Sequence, residues 1–141
     1  MSGTAAGYSG KPTWQKLGLT PTLRVHLRGL PAEDYRALTG MAPGTPELVG
    51  PRAAFDLAHV FATTAAGLAR ALAALDPRLP PAGAIWVSWP KRSARVPTDV
   101  TEDTIRALAL PLGLVDVKVC AVDAVWSGLK LVRRKALRQP T

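Results

Sequence analysis

A chain of 141 residues, 48% hydrophobic, is long enough to bury one core and too short for two, so a single domain over residues 1–141 is expected. Its one cysteine, Cys120, excludes an intrachain disulfide, and with only His26 and His59 beside it no metal-ligand spacing exists, which excludes zinc scaffolds. The formal charge of +8 owes much to Lys130, Arg133, Arg134, Lys135 and Arg138 near the end of the chain; no helix-turn-helix, zinc-finger or aromatic stacking signature accompanies it, so nucleic acid is not an expected partner.

Residues 1–10 hold Gly3, Gly7 and Gly10 among small polar neighbours, too costly in backbone entropy to order by themselves, and read as a flexible segment. They lack the charged region and apolar core of a leader, and no stretch reaches the ~18 uninterrupted apolar residues of a membrane span, so a soluble, cytoplasmic protein without a membrane partner is expected. Pro12 to Leu17 predicts a short helix closed by Gly18. Leu23 to Leu30 alternates Leu23, Val25 and Leu27 with Arg24, His26 and Arg28, the pattern of a strand toward the sheet's edge. Pro31 to Leu38 places proline and two acids in its first turn, as a short helix does. Thr39 to Arg52 reads as a crossing loop with a brief extended piece at Glu47 to Val49.

Phe55 to Ala62 is apolar on both faces except for Asp56 and His59, an inner strand. Thr63 or Thr64 can cap the next helix, where Leu68, Leu72 and Leu75 share a stripe and Asp76-Pro77 ends it. Ala84 to Trp89 then organises the chain. Ile85, Val87 and Trp89 take one face and Ala84, Trp86 and Ser88 the other, so this strand is covered on both sides. Asp99 with Glu102 has the spacing of a capping box for a helix through Ile105 and Leu108 that stops at Pro111 and Gly113. Val115 to Val122 alternates, with Val115, Val117, Val119 and Ala121 on one face, and pairs antiparallel with Leu129 to Arg133 across a turn holding Asp123, Trp126 and Gly128. Residues 135–141 read as a disordered basic tail. The order predicts an α/β fold: a three-layer, Rossmann-like sandwich whose mostly parallel sheet ends in an antiparallel hairpin.

Ligands of open α/β sheets sit beyond the carboxyl ends of the strands. Lys91, Arg92 and Arg95 leave that end of the central strand and are the candidate anion-binding residues. Against this, Asp99, Glu102 and Asp103 follow closely and would neutralise them at the surface. Trp126, in the hairpin turn, must fold back onto the domain or be offered to a protein partner. Ser88, His59 and Asp99 are the residue types of a nucleophilic triad, but without a G-x-S-x-G elbow they read as polar groups satisfied within the fold, and no catalytic residue is assigned. Cys120 reads as a small hydrophobe.

The last hundred residues resemble the second half of a class I S-adenosylmethionine-dependent methyltransferase, where two parallel βα units lead into an antiparallel hairpin. Those enzymes hold the cofactor with a glycine-rich loop after the first strand and an acid after the second. The corresponding stretch here, RGLPAED, has Gly29 alone, and no cofactor is expected. In its motifs (GYSGKP at 7–12, KLG at 16–18, WVSWPK at 86–91, TDVTED at 98–103, LPLGLVDVKVCAVD at 110–123, WSGLKLVRRK at 126–135) the chain resembles an uncharacterised bacterial family, a domain of unknown function, which implies no activity. The sequence therefore points to a noncatalytic binding or regulatory module for a protein partner or a phosphate-bearing small molecule. The alternative is a divergent methyltransferase or other nucleotide-dependent enzyme.

Overall fold

The computed structural model describes residues 11–42 and 45–137. Among the described residues four helices, α1 (Thr13–Lys16), α2 (Ala32–Thr39), α3 (Ala65–Leu75) and α4 (Glu102–Ala109), enclose six strands: β1 (Arg24–Arg28), β2 (Glu47–Leu48), β3 (Leu57–Phe61), β4 (Ala84–Pro90), β5 (Leu114–Ala121) and β6 (Trp126–Arg133). The sheet runs β2-β1-β3-β4-β6-β5; the first four strands are parallel, and β6 lies antiparallel between β4 and β5. This is the Rossmann-like sandwich that the alternation of elements predicts. None of the described helices is long and apolar enough to cross a membrane.

Every residue of β3 and β4 is buried, because helices cover both sides. Ile85, Val87 and Trp89 pack with Leu68, Leu72, Leu75 and Ile105 of α3 and α4, while Ala84 and Trp86 join Leu17, Leu19 and Tyr35 on the α1/α2 side. Trp86 is fully buried and its Nε1–H donates to the Leu17 carbonyl at 2.9 Å, so the indole fills space without leaving a polar atom unpaired.

Four expectations are corrected. Thr101, not Asp99, caps α4, its side chain accepting from the N–H of Thr104. The last strand begins at Trp126 instead of Leu129, because the Asp123 carboxylate accepts the N–H groups of Val125 and Trp126 at 2.8 Å each and completes the turn sooner. Strand β5 carries a bulge at Val117, where the pairing skips from Asp116 to Lys118. The bulge exchanges the two faces, so Val115 and Val119 do not share one; Val117 and Val119 are 54% and 51% exposed at the sheet's edge. Lys135–Leu137, expected in the tail, form a 3-10 turn, whereas 138–141 lie outside the described residues, as does the 1–10 segment.

Candidate functional site

The end of β4 is fixed by its neighbours. Pro90 sits opposite Trp126, and the N–H of Lys91 donates to the Val125 carbonyl at 2.7 Å. The chain then makes a 3-10 turn over Arg92–Ala94 and reverses at Arg95, which takes a left-handed conformation with φ of 56°. It returns to the start of α3, where Thr98 Oγ1 donates to the Thr63 carbonyl at 2.7 Å and the Asp99 carboxylate accepts the N–H of Ala65 at 2.7 Å. Between strand end and loop lies a cleft of about 640 Å³, of the size of small-ligand sites, with Trp89, Lys91, Arg92, Arg95, Thr101 and Glu102 among its walls.

All three sequence-predicted cations thus line one cleft. The acids expected to neutralise them are engaged elsewhere: Asp99 holds the first turn of α3, and Glu102 and Asp103 pair with Arg106 at 2.9 and 3.5 Å. Arg106 also binds Asp116 on β5 at 3.1 Å. Among the described residues no side chain forms an ion pair or hydrogen bond with Lys91, Arg92 or Arg95. Their donors are free for a ligand that brings acceptors.

Trp126 is half-buried, with its ring edge-on to Phe61 at 5.0 Å between centroids. It belongs with the α1/α2 cluster and rims a separate cleft beside Leu30, Leu38 and Asp123. Cys120 packs with the same cluster, and burial pushes its thiol up from the ordinary value, away from reactivity.

Ser88 and His59 do meet, Nε2 to Oγ at 2.7 Å, but the other ring nitrogen of His59 contacts Tyr35 Oη at 2.9 Å, and Asp99 is bound to Ala65. Burial alone brings the His59 imidazole down to about 3. Both Ser88 and His59 are 0% exposed, so this is a neutral, sealed hydrogen-bonded chain that no substrate reaches. Tyr35 as the third member was not read from the sequence. One signal could have found it: its place on the buried stripe of α2, facing the strand that carries His59.

Also unforeseen is a pair on β1. Arg28 Nε–H donates to His26 Nε2 at 3.0 Å, and His26 is only 3% exposed. The alternation that places both on one face of the strand was the available signal.

No protein-family model matches the chain, and no curated protein does. Among solved structures it is similar to a ribosomal protein L11 methylase from Lactobacillus delbrueckii subsp. bulgaricus, at 16% identity and a TM-score of 0.50 over 80% of this chain and 71% of that one. It is also similar to LepI in complex with SAM, at 11% identity and a TM-score of 0.54, covering 86% of this chain but 39% of LepI. A protein of the NADB-Rossmann superfamily from Streptococcus agalactiae matches at 10% identity and a TM-score of 0.51, over 90% and 69%. The chain shares the Rossmann-like fold of methyltransferases. That likeness reaches further than the last hundred residues.

Class I methyltransferases of this fold hold S-adenosylmethionine where the chain leaves the first strand. Here Gly29 takes φ of 86° and lies so close to β3 that a methyl group on it would stand 2.1 Å from the Phe61 carbonyl oxygen. The close approach that glycine permits is thus used by the neighbouring strand. No second glycine precedes α2, Pro31 has no N–H to offer, and β2 is followed by Val49, Gly50, Pro51 and Arg52, without an acid. These residues do not fit the cofactor.

Proposed function

We propose that this chain is a noncatalytic binding module of the cytoplasm that takes a phosphate-bearing small molecule in the cleft between Lys91 and Glu102. One observation carries the reading: three cations line a single cleft at the carboxyl end of an inner strand, while every acid of the same segment is bound elsewhere. A phosphate supplies the acceptors these donors lack, and each charge-assisted hydrogen bond to it contributes about 1.5–3 kcal/mol. Trp89 and Val100 give the cleft an apolar wall for the rest of the ligand. Three charges on one loop make too short a track for a nucleic-acid backbone. On the motifs quoted above we also assign the chain to the uncharacterised bacterial family it resembles, which brings no activity with it.

Calorimetric titration tests this. Inorganic pyrophosphate is expected to bind with an affinity that falls as salt is added, and S-adenosylmethionine is expected not to bind. Absence of any pyrophosphate heat at low salt would overturn the proposal; micromolar affinity for S-adenosylmethionine would favour the divergent methyltransferase, which the fold likeness supports.

A further inference from the structure

The connection from β2 to β3 crosses β1 as a loop, residues 49–56, with no helix in it. It covers the α3/α4 side of β1, where Val49 packs against the core cluster and the Phe55 ring lies 5.4 Å from that of His26. A loop fills less space than a helix, and a cleft of about 350 Å³ is left, lined by His26, Arg28, Gly29, Val49 and Pro51 among others. This is a different place from the Lys91 cleft, which lies beyond the end of β4; Gly29, Val49 and Pro51 put it at the carboxyl ends of β1 and β2, beside the position that the cofactor takes in methyltransferases.

The chemistry of the cleft is one-sided. Because Nε2 of His26 accepts from Arg28, the ring proton of the neutral imidazole sits on Nδ1. That Nδ1 is buried and has no hydrogen-bond partner; it is the one such side-chain atom among the described residues. Burial, with Arg28 and Arg78 nearby, holds the imidazole below its ordinary value, so it stays neutral and Nδ1 stays a donor. Arg28 uses only Nε on His26, and its terminal amino groups have no partner among the described residues. Buried donors seldom go unmatched, and here donors on two adjacent side chains of one strand face await an acceptor. No acid lines the cleft.

We propose that this cleft binds the carboxylate of a small organic acid, with His26 Nδ1–H and the terminal amino groups of Arg28 donating to its oxygens and Val49 and Pro51 covering its apolar body. A carboxylate is planar, accepts only, and matches the fork of a guanidinium. The volume is ample for a short organic acid.

The test follows the imidazole nitrogens of the full chain by NMR during titration with butyrate and, separately, with inorganic phosphate. Butyrate is expected to move the His26 Nδ1 resonance and to leave His59 in place, whereas phosphate leaves both. The R28K variant, which keeps the charge and loses the fork, is expected to bind butyrate about tenfold to a hundredfold more weakly. The K91A/R92A/R95A variant is expected to bind butyrate as the parent does, so failure of the phosphate cleft and failure of this one are told apart. A His26 resonance unmoved by either anion overturns the site, and movement with phosphate but not butyrate overturns the carboxylate assignment. Both readings come from the unaltered chain and hold even if R28K does not fold.

Discussion

The Asp99 carboxylate accepts the backbone N–H of Ala65 at 2.7 Å, so an acid that precedes α4 caps α3, thirty-four residues away in the chain. Thr64 accepts from Gly67 in the same turn, so two of the free N–H groups at that helix end are satisfied by side chains. This ties the basic loop to the helix beside it and withdraws Asp99 from the cations. Asp99→Ala is expected to cost about 1 kcal/mol of stability, and Asp99→Asn, which keeps an acceptor oxygen, clearly less. Urea unfolding measures both; equal losses would mean that the hydrogen bond to Ala65 is not what Asp99 supplies.

Gly29 has no room for a side chain, with its positive φ and the Phe61 carbonyl where a side chain would begin. Gly29→Ala is expected to destabilise the fold by more than about 2 kcal/mol, since the strain of a left-handed residue adds to a displacement of β3. By contrast Gly18, also at positive φ, has open space around it, and Gly18→Ala should cost only the conformational share, about 1 kcal/mol. Thermal unfolding of the two variants checks the contrast, and equal shifts would refute the close-contact account.

What the sequence made legible follows physical range. The two faces of β4 could be read because side-chain alternation is local: Trp86 and Trp89, three apart, fall on opposite sides as they must. Lys91, Arg92 and Arg95 could be placed because the carboxyl end of an inner parallel strand is where a ligand is expected. The target of Asp99 was not legible, since Asp99 with Glu102 and Thr101 with Thr104 are equally good local caps and the choice depends on α3. The bulge at Val117 left no mark either: an unbroken valine alternation conceals the skipped residue, and only pairing with β6 reveals it. His26 looked like an ordinary polar residue of an edge strand because nothing in its neighbourhood tells that a loop, not a helix, will cover it.

His59 makes stability depend on pH. Its imidazole titrates near 6.5 when the chain is unfolded and only at about 3 inside the fold, because charging it there means charging a sealed site. Between these values the unfolded chain binds the extra proton, so the stabilisation is complete above 6.5 and is lost as pH falls, by at most about 1.4 kcal/mol per pH unit. His26, also lowered by burial, adds in the same direction. Going from about pH 7.5 to pH 5, the parent is expected to lose about 1 to 2 kcal/mol through His59, and His59→Asn to show a shallower slope. Equal slopes would sink the assignment. Should the variant not fold, a His59 imidazole resonance still neutral near pH 5 in the parent bears on the same point.

Lys91, Arg92 and Arg95 make no ion pair that holds the fold together, so replacing all three by alanine is expected to leave the unfolding midpoint in urea almost unchanged while abolishing pyrophosphate binding. Arg95 allows a sharper separation. It occupies a left-handed conformation, with φ of 56°, that an ordinary side chain adopts at a cost of about 1 kcal/mol and glycine adopts freely. Arg95→Gly should therefore make the chain more stable and, by removing one donor from the cleft, weaken pyrophosphate binding by about tenfold or more. The two effects run in opposite directions only if the arginine is held there for its charge. A variant that is stabilised and binds as tightly as the parent would show that Arg95 takes no part in the site, and a triple variant that still binds pyrophosphate would remove the cleft from consideration altogether.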